Sequence, residues 1–389
     1  MKLEDFCYVN PTEQLKKNEQ YDFVEMADIV PGNRYVFSKT KKIFNGSFSK
    51  FSNKDTLMAK ITPCLENGKI SQFMGTNKGF GSTEFNVFRE KDGISDADYL
   101  YYLISSSIVK EPAIKSMTGA CGRQRANIDE IKQIEVPDFS IDIQQKIAKV
   151  LSNYDDLIEN NNKRIKILEE MAQKIYKEWF VDFKFPGHET TTFKQTELGE
   201  IPNDWGVKFL HEVSELYDNK RKPLSSMQRE NMRGLYPYYG AAKILDYIND
   251  YIFDGKYLLL AEDGSVITKD GYPVLQFVNA KFWANNHTHI MQGTADVSTE
   301  FIYLFLQKFG IAGYITGAAQ PKINQENLNR IKMIIPNNKV LIMFNNLICP
   351  IFEQIFNIET KNKTLKQTRD LLLPRLISGE IDVENLEIM

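Results

Sequence analysis

The chain has 389 residues, 42% hydrophobic, 25% charged and 12% aromatic, and its 48 Lys and Arg against 51 Asp and Glu leave a formal net charge of -3. That length and composition suit two or more core-forming domains, and the near-neutral balance excludes a protein that coats nucleic acid or anionic membrane by charge alone, though not a local basic surface. No run approaches the ~18 consecutive apolar residues of a membrane span, and the start MKLEDFCYVN has no apolar secretion core, so a cytoplasmic protein with no membrane partner is expected.

In chain order, residues 30–80 come first, with nine basic residues (Arg34, Lys39, Lys41, Lys42, Lys50, Lys54, Lys60, Lys69 and Lys78) against Asp55 and Glu66. Tyr35, Phe37, Phe44 and Phe48 are interleaved with them. The strand-like segments TLMAKI (Thr56–Ile61) and STEFNVF (Ser82–Phe88) follow. Ser95 precedes an aromatic helical run, Tyr99–Ile104, where its hydroxyl can cap unpaired backbone N–H groups. Thr118–Pro137, TGACGRQRANIDEIKQIEVP, passes from a Thr-Gly-Ala turn through a polar loop and a short helical stretch into an apolar run stopped by proline.

Ile147, Leu151, Tyr154, Ile158, Asn161, Ile165, Leu168, Ala172, Ile175 and Trp179 then recur in alternating steps of four and three. This is the seam of a coiled coil, narrower than an ordinary amphipathic stripe. A polar residue on such a seam fixes register at a cost in stability, unless Asn161 faces solvent instead.

The second half retraces the first. Residues 219–245 carry Lys220, Arg221, Lys222, Arg229, Arg233 and Lys243 against Glu230, with Tyr236, Tyr238 and Tyr239 among them. YLLLAE (Tyr257–Glu262) parallels TLMAKI, and NNHTHIM (Asn285–Met291) parallels STEFNVF. Ser298 precedes Phe301–Leu306, and TGAAQPKINQENLNRIKMIIP (Thr316–Pro336) parallels the first Thr-Gly-Ala segment. Phe344, Ile348, Ile351, Ile355, Ile358, Asn362, Leu365, Arg369, Leu372 and Leu376 form a second seam, in which Pro350 predicts a kink or a fresh helix start. Repetition at this length marks duplication of a whole domain.

The expected architecture is α/β (α+β): two homologous mixed α/β domains separated by two long helices packed as an antiparallel coiled coil. Its boundaries are 1–140 for the first domain, 141–185 for a central helix, 186–336 for the second domain, and 337–389 for a C-terminal helix and tail.

No catalytic constellation is found. A GxxxxGK[ST] loop is missing, Gly75–Gly81 lacks the GxGxxG spacing, and Asn10-Pro11-Thr12-Glu13 only imitates an amino-methyltransferase tetrapeptide. Cys7, Cys64, Cys121 and Cys349 form no CxxC pair, which argues against a disulfide framework or a zinc site. His287 and His289, alternate residues of a strand, point to opposite faces, so no metal site is expected. Glu262-Asp263-Gly264 reads first as a turn.

Lysine and arginine can neutralise phosphates, and Arg, Lys, Gln and Asn can bond base edges. The residues assigned to DNA contact are Lys39, Lys41, Lys42, Lys60, Arg123, Gln124 and Arg125 in the first repeat. In the second they are Lys220, Arg221, Lys222, Tyr238, Tyr239, Asn286, His287, Gln320 and Lys322. Either stretch taken alone reads first as solvated lysine over core aromatics; its recurrence at the same place in both repeats shifts the balance toward DNA.

The chain resembles the specificity subunit of type I restriction-modification enzymes, most closely in ILEEMAQKIYKEWFVDF (Ile167–Phe183) and LKQTRDLLLPRLISGEI (Leu365–Ile381). LGEIPNDW (Leu198–Trp205) and YPYYGA (Tyr236–Ala241) add to this, whereas the first domain begins at Lys2-Leu3-Glu4-Asp5 without an equivalent opening motif. The resemblance implies two target recognition domains that each read half of a bipartite site in double-stranded DNA, with helices that set spacing and dock two methyltransferase subunits. It implies a non-catalytic chain that binds no cofactor. S-adenosylmethionine, ATP and Mg belong to the partners, which include restriction subunits. The competing expectation is a coiled-coil scaffold with two protein-binding α/β domains.

Overall fold

A computed structural model describes residues 1–120, 122–317 and 320–385. Cys121, Ala318 and Ala319, of the two Thr-Gly-Ala segments, lie outside the described residues. The chain divides into two compact units: Met1–Asn162 with the stretch from Thr360 onward, and Lys163–Glu359.

In the first unit a five-stranded sheet has the order Cys7–Val9, Phe85–Glu90, Thr56–Ala59, Ile70–Phe73, Tyr35–Val36. Its pairs are antiparallel except the last, where Tyr35 lies parallel to Gln72. Thr56–Ala59 and Ile70–Phe73 are buried along their whole length, as inner strands covered on both faces must be. A second sheet, Thr40–Ile43, Gln20–Val24, Lys78–Gly81, Ser49–Ser52, carries much of the basic stretch.

The second unit repeats the first sheet in the same spatial order: Ser214–Leu216, Thr288–Gly293, Phe253–Ala261, Leu275–Ala284, Arg233–Tyr239. The corresponding pair is again the parallel one, with Tyr238 beside Trp283. Ile244–Ile248 adds a sixth strand at that edge. Shared order and a shared parallel exception in both units confirm the duplication. Helix Thr299–Leu306 follows, capped as expected by Ser298, whose Oγ accepts from the Phe301 N–H. In the first unit the cap of Ala97–Ser105 is Asp96 rather than Ser95. The Ser95 hydroxyl accepts from the Lys91 N–H instead, closing the turn before the helix.

The central helix runs Ile141–Phe180 and the C-terminal helix Asn338–Ile377. They are antiparallel within each unit. In the first, Asp155 pairs with Arg369 and Asn161 with Asn362; in the second, Phe180 packs on Phe344 with ring centroids 4.7 Å apart. Both units therefore take part of each helix.

The buried stripe is wider than a bare seam. Gln144, Ala148, Ser152 and Asp155 are buried beside Ile147, Leu151 and Ile158, because this end of the helix also covers the body of its own domain. No fresh start occurs at Pro350. Phe344, Ile348, Ile351 and Phe352 on either side are all buried, at about 1.5–3 kcal/mol each, against the ~3 kcal/mol that an interior proline costs. The C-terminal helix is, among the described residues, the one that could cross a membrane by length and composition, but these same side chains are packed in the core.

Candidate nucleic-acid interface

Each Thr-Gly-Ala segment forms a loop closed at its base by a pair of backbone bonds. In the first unit the Thr118 N–H donates to the Arg125 carbonyl at 3.0 Å, and the Arg125 N–H returns to Thr118 at 2.9 Å. Gly119 sits at φ +125°, a conformation that side chains rarely adopt. The loop is tied to the turn that follows strand Thr56–Ala59 by the Thr62 N–H to the Gln124 carbonyl (3.0 Å) and the Gln124 N–H to Thr62 Oγ1 (3.1 Å). Arg125 forks onto Glu84, with Nε at 2.9 Å and Nη2 at 2.6 Å. Those bonds hold the Glu84 carboxyl below its usual range.

In the second unit Thr316 and Lys322 exchange backbone bonds of 2.8 Å in each direction, with Gly317 at φ +84°. A Cβ on Gly317 would stand 2.4 Å from the Gln320 carbonyl oxygen, so no other residue fits that turn unshifted. The Lys322 ammonium lies 3.1 Å from Glu262.

Glu262 is the centre of a largely buried network. Arg221 Nη1 donates to it at 2.6 Å, and Arg221 Nη2 lies 3.4 Å from Asp218. His289 places Nδ1 2.6 Å from Asp218 and Nε2 2.8 Å from the Ile323 carbonyl. Burial pushes the Asp218 and Glu262 carboxyls up, but hydrogen bonds from His289 and Arg221 respectively outweigh it, and both end below their ordinary values. Asp218, Glu262 and His289 are the one group among the described residues with the spacing to hold a metal. Arg221, Lys322 and Ile323 already face its donor atoms, and the arrangement is a salt-bridge network.

Backbone bonds fix the equivalences between the repeats. The Lys60 N–H donates to Glu84 and the Glu262 N–H to His287; the Ala126 N–H donates to Lys60 and the Ile323 N–H to Glu262. Lys60 therefore matches Glu262, Glu84 matches His287, and Arg125 matches Lys322. Aligning TLMAKI with YLLLAE directly sets Ile61 opposite Glu262, one residue out of register, which in a strand exchanges the two faces.

The assigned residues separate into free and internally paired groups. Arg123, Lys41, Lys220, Lys222, Asn286 and Gln320 are exposed, and Gln124 and Lys60 half-buried. Lys39 lies 3.2 Å from Asp28, and Lys42 reaches Glu25 at 2.8 Å while covering the Phe23 ring at 3.7 Å. Arg221 has a side chain 13% exposed and spends its charge inside the network. His287 is exposed, paired with Asp263 at 2.7 Å, and lies in the turn before strand Thr288–Gly293, whereas His289 inside that strand is buried. Residues two apart in a strand share a face, so the expected opposition of faces does not follow from alternation, and it is the turn that separates the two rings.

Tyr238 departs from expectation. It is 1% exposed, with its hydroxyl accepting from the Leu224 N–H at 2.9 Å, so it is a core residue. Tyr239 is half-buried against Phe282. Arg34, counted in the basic stretch, is 2% exposed and bonded to Gln72 and Tyr102. Sequence reasoning missed Glu84, Thr62, Asp218 and Glu262 as loop anchors. The internal repeat held the signal, since Glu84 lies in STEFNVF opposite His287.

The family profile for the type I restriction modification DNA specificity domain matches residues 1–170 and 202–368. The MjaIX specificity subunit of Methanocaldococcus jannaschii is 31% identical over 327 residues, covering 80% of this chain and 74% of that one. The HindI specificity subunit of Haemophilus influenzae is 23% identical over 445 residues, covering 89% and 94%. The crystal structure of a type I restriction-modification S subunit from M. genitalium has the same fold, with a TM-score of 0.54 at 16% identity over 97% of this chain and 95% of that one.

Proposed function

The chain belongs to the family of type I restriction-modification DNA specificity subunits, and on that premise we propose that each domain reads one half of a bipartite DNA target for partner subunits that do the chemistry. The observation that carries this reading is the paired loop. The same backbone closure recurs in both units, with Arg123 and Gln124 within one loop and Gln320 within the other. Arg is suited to guanine and Gln to adenine in the major groove, while Lys41 and Lys222 are exposed, and Lys220 is exposed over the Tyr217 ring at 4.9 Å, where each can take a phosphate.

Two methyltransferase subunits dock on the helices and supply S-adenosylmethionine. Restriction subunits add ATP- and Mg-dependent cleavage, in the cytoplasm. This chain itself contributes recognition and no catalysis. The test is methylome sequencing of cells that carry the methyltransferase partner with and without this chain. A split adenine-methylated motif that disappears with the chain is expected. Methylation independent of the chain, or none in its presence, overturns the proposal.

A further inference from the structure

The loop bases contain a device that recurs in the two repeats although its residues have changed places. The three matched positions are Lys60, Glu84 and Arg125 in the first unit, and Glu262, His287 and Lys322 in the second. Each trio holds one carboxylate, and that carboxylate receives the basic residue that closes the loop: Arg125 on Glu84, Lys322 on Glu262. The acid has moved from the turn before one strand to the end of another, while the ion pair at the loop base is kept.

Stability does not account for the first pair. The side chains of Arg125 and Glu84 are 53% and 22% exposed, and ion pairs at such sites contribute about 0–1 kcal/mol. What the pair does fix is direction. Arg125 follows the reading residues Arg123 and Gln124 directly, and the bidentate fork on Glu84 allows it one orientation. It also holds a cation on Glu84, beside Arg123 and Gln124.

We propose that Glu84 and Glu262 are positioning residues that clamp the reading loops 118–125 and 316–322, each setting the sequence discrimination of its own half-target. This rests on the recognition reading above. The experiment measures binding by the full chain, assembled with its methyltransferase partner, to the cognate target, to targets altered in either half, and to unrelated DNA over a salt series.

For Glu84→Gln the expected result is about a tenfold loss of discrimination in one half-target, none in the other, and an unchanged thermal midpoint. Released Arg125 gains a phosphate, so binding to unrelated DNA tightens and its log–log salt slope steepens by about 0.9. Glu84→Asp, which keeps the carboxylate, restores most of the discrimination. Glu262→Gln is expected to affect the opposite half.

Unchanged discrimination in Glu84→Gln, or equal loss in both halves, overturns the clamp. Arg123→Ala separates the two levels of the argument. If it changes preference in one half while Glu84→Gln does not, the clamp fails and the loop reading stands; if Arg123→Ala is also silent, the loop reading itself fails.

Discussion

Asn161 and Asn362, 201 positions apart in the chain, meet across the helix pair, the Asn161 amide donating to the Asn362 side-chain oxygen at 2.8 Å. The Asn362 amide continues to the Asn162 side-chain oxygen at 3.0 Å, so the buried asparagine is satisfied at both ends. Sliding one helix past the other breaks both bonds, and the pair thereby fixes register.

Asn161→Leu alone leaves the Asn362 oxygen without its donor. It is expected to cost about 1–3 kcal/mol in denaturant unfolding. The double variant Asn161→Leu/Asn362→Leu is expected to recover that loss or exceed wild type, since matched apolar residues suit a seam. A double variant no more stable than the single one contradicts the register role.

Arg369 is buried against Asp155, and Tyr102 donates to the other Asp155 oxygen at 2.5 Å. Arg369→Met strands a carboxylate that is 3% exposed, with an expected cost of about 3–5 kcal/mol. Arg369→Met/Asp155→Leu is expected to be markedly more stable than the single variant. Calorimetry of the two proteins decides it.

Gly317→Ala meets the Gln320 carbonyl and a left-handed backbone together. The fold, whose core lies elsewhere, is expected to persist by circular dichroism. Discrimination in the half-target read by the second domain is expected to fall, with the other half retained. Full discrimination by Gly317→Ala would show that this loop does not read.

Lys220 and Lys222 are exposed whereas Arg221 between them is enclosed. Lys220→Ala and Lys222→Ala are each expected to lower the salt slope of DNA binding by about 0.9 for every phosphate left unneutralised, uniformly across sequences. Arg221→Ala is expected to lower thermal stability instead, because Glu262 and Asp218 lose their shared cation. A reduced slope in Arg221→Ala with normal stability would reverse these assignments.

Glu13 gives a pH signature. Burial raises its carboxyl, but hydrogen bonds from Lys78 and Ser52 outweigh this and bring it from 4.5 to about 2. A depressed folded-state value means that stability is present in full above the unfolded value and lost as pH falls. The stability gap between wild type and Glu13→Gln is expected to be flat above about pH 5 and to close between 4.5 and 2. A urea series over that range reads it; a constant gap refutes it.

The duplication, the long helices and the two Thr-Gly-Ala loops were legible in the sequence because each depends on spacing along the chain. Glycine marks a positive φ, a serine or aspartate marks a helix start, and steps of four and three mark a seam, all with the residues concerned close together. The cap passed from Ser95 to Asp96, and the strands matched one residue out, because such details turn on single hydrogen bonds.

Which basic residues are available for DNA was not legible. Arg221 and Lys222 are neighbours of like charge, yet one is enclosed by Glu262 and Asp218 while the other is exposed. Tyr238 and Tyr239 divide in the same way between core and half-buried surface. The sequence alone determined that the chain is two copies of a domain joined through paired helices, with a polar loop in each. Only the tertiary structure decided which charges those loops present, because burial and ion pairing depend on partners such as Glu84 and Glu262, 41 positions from the arginines they hold.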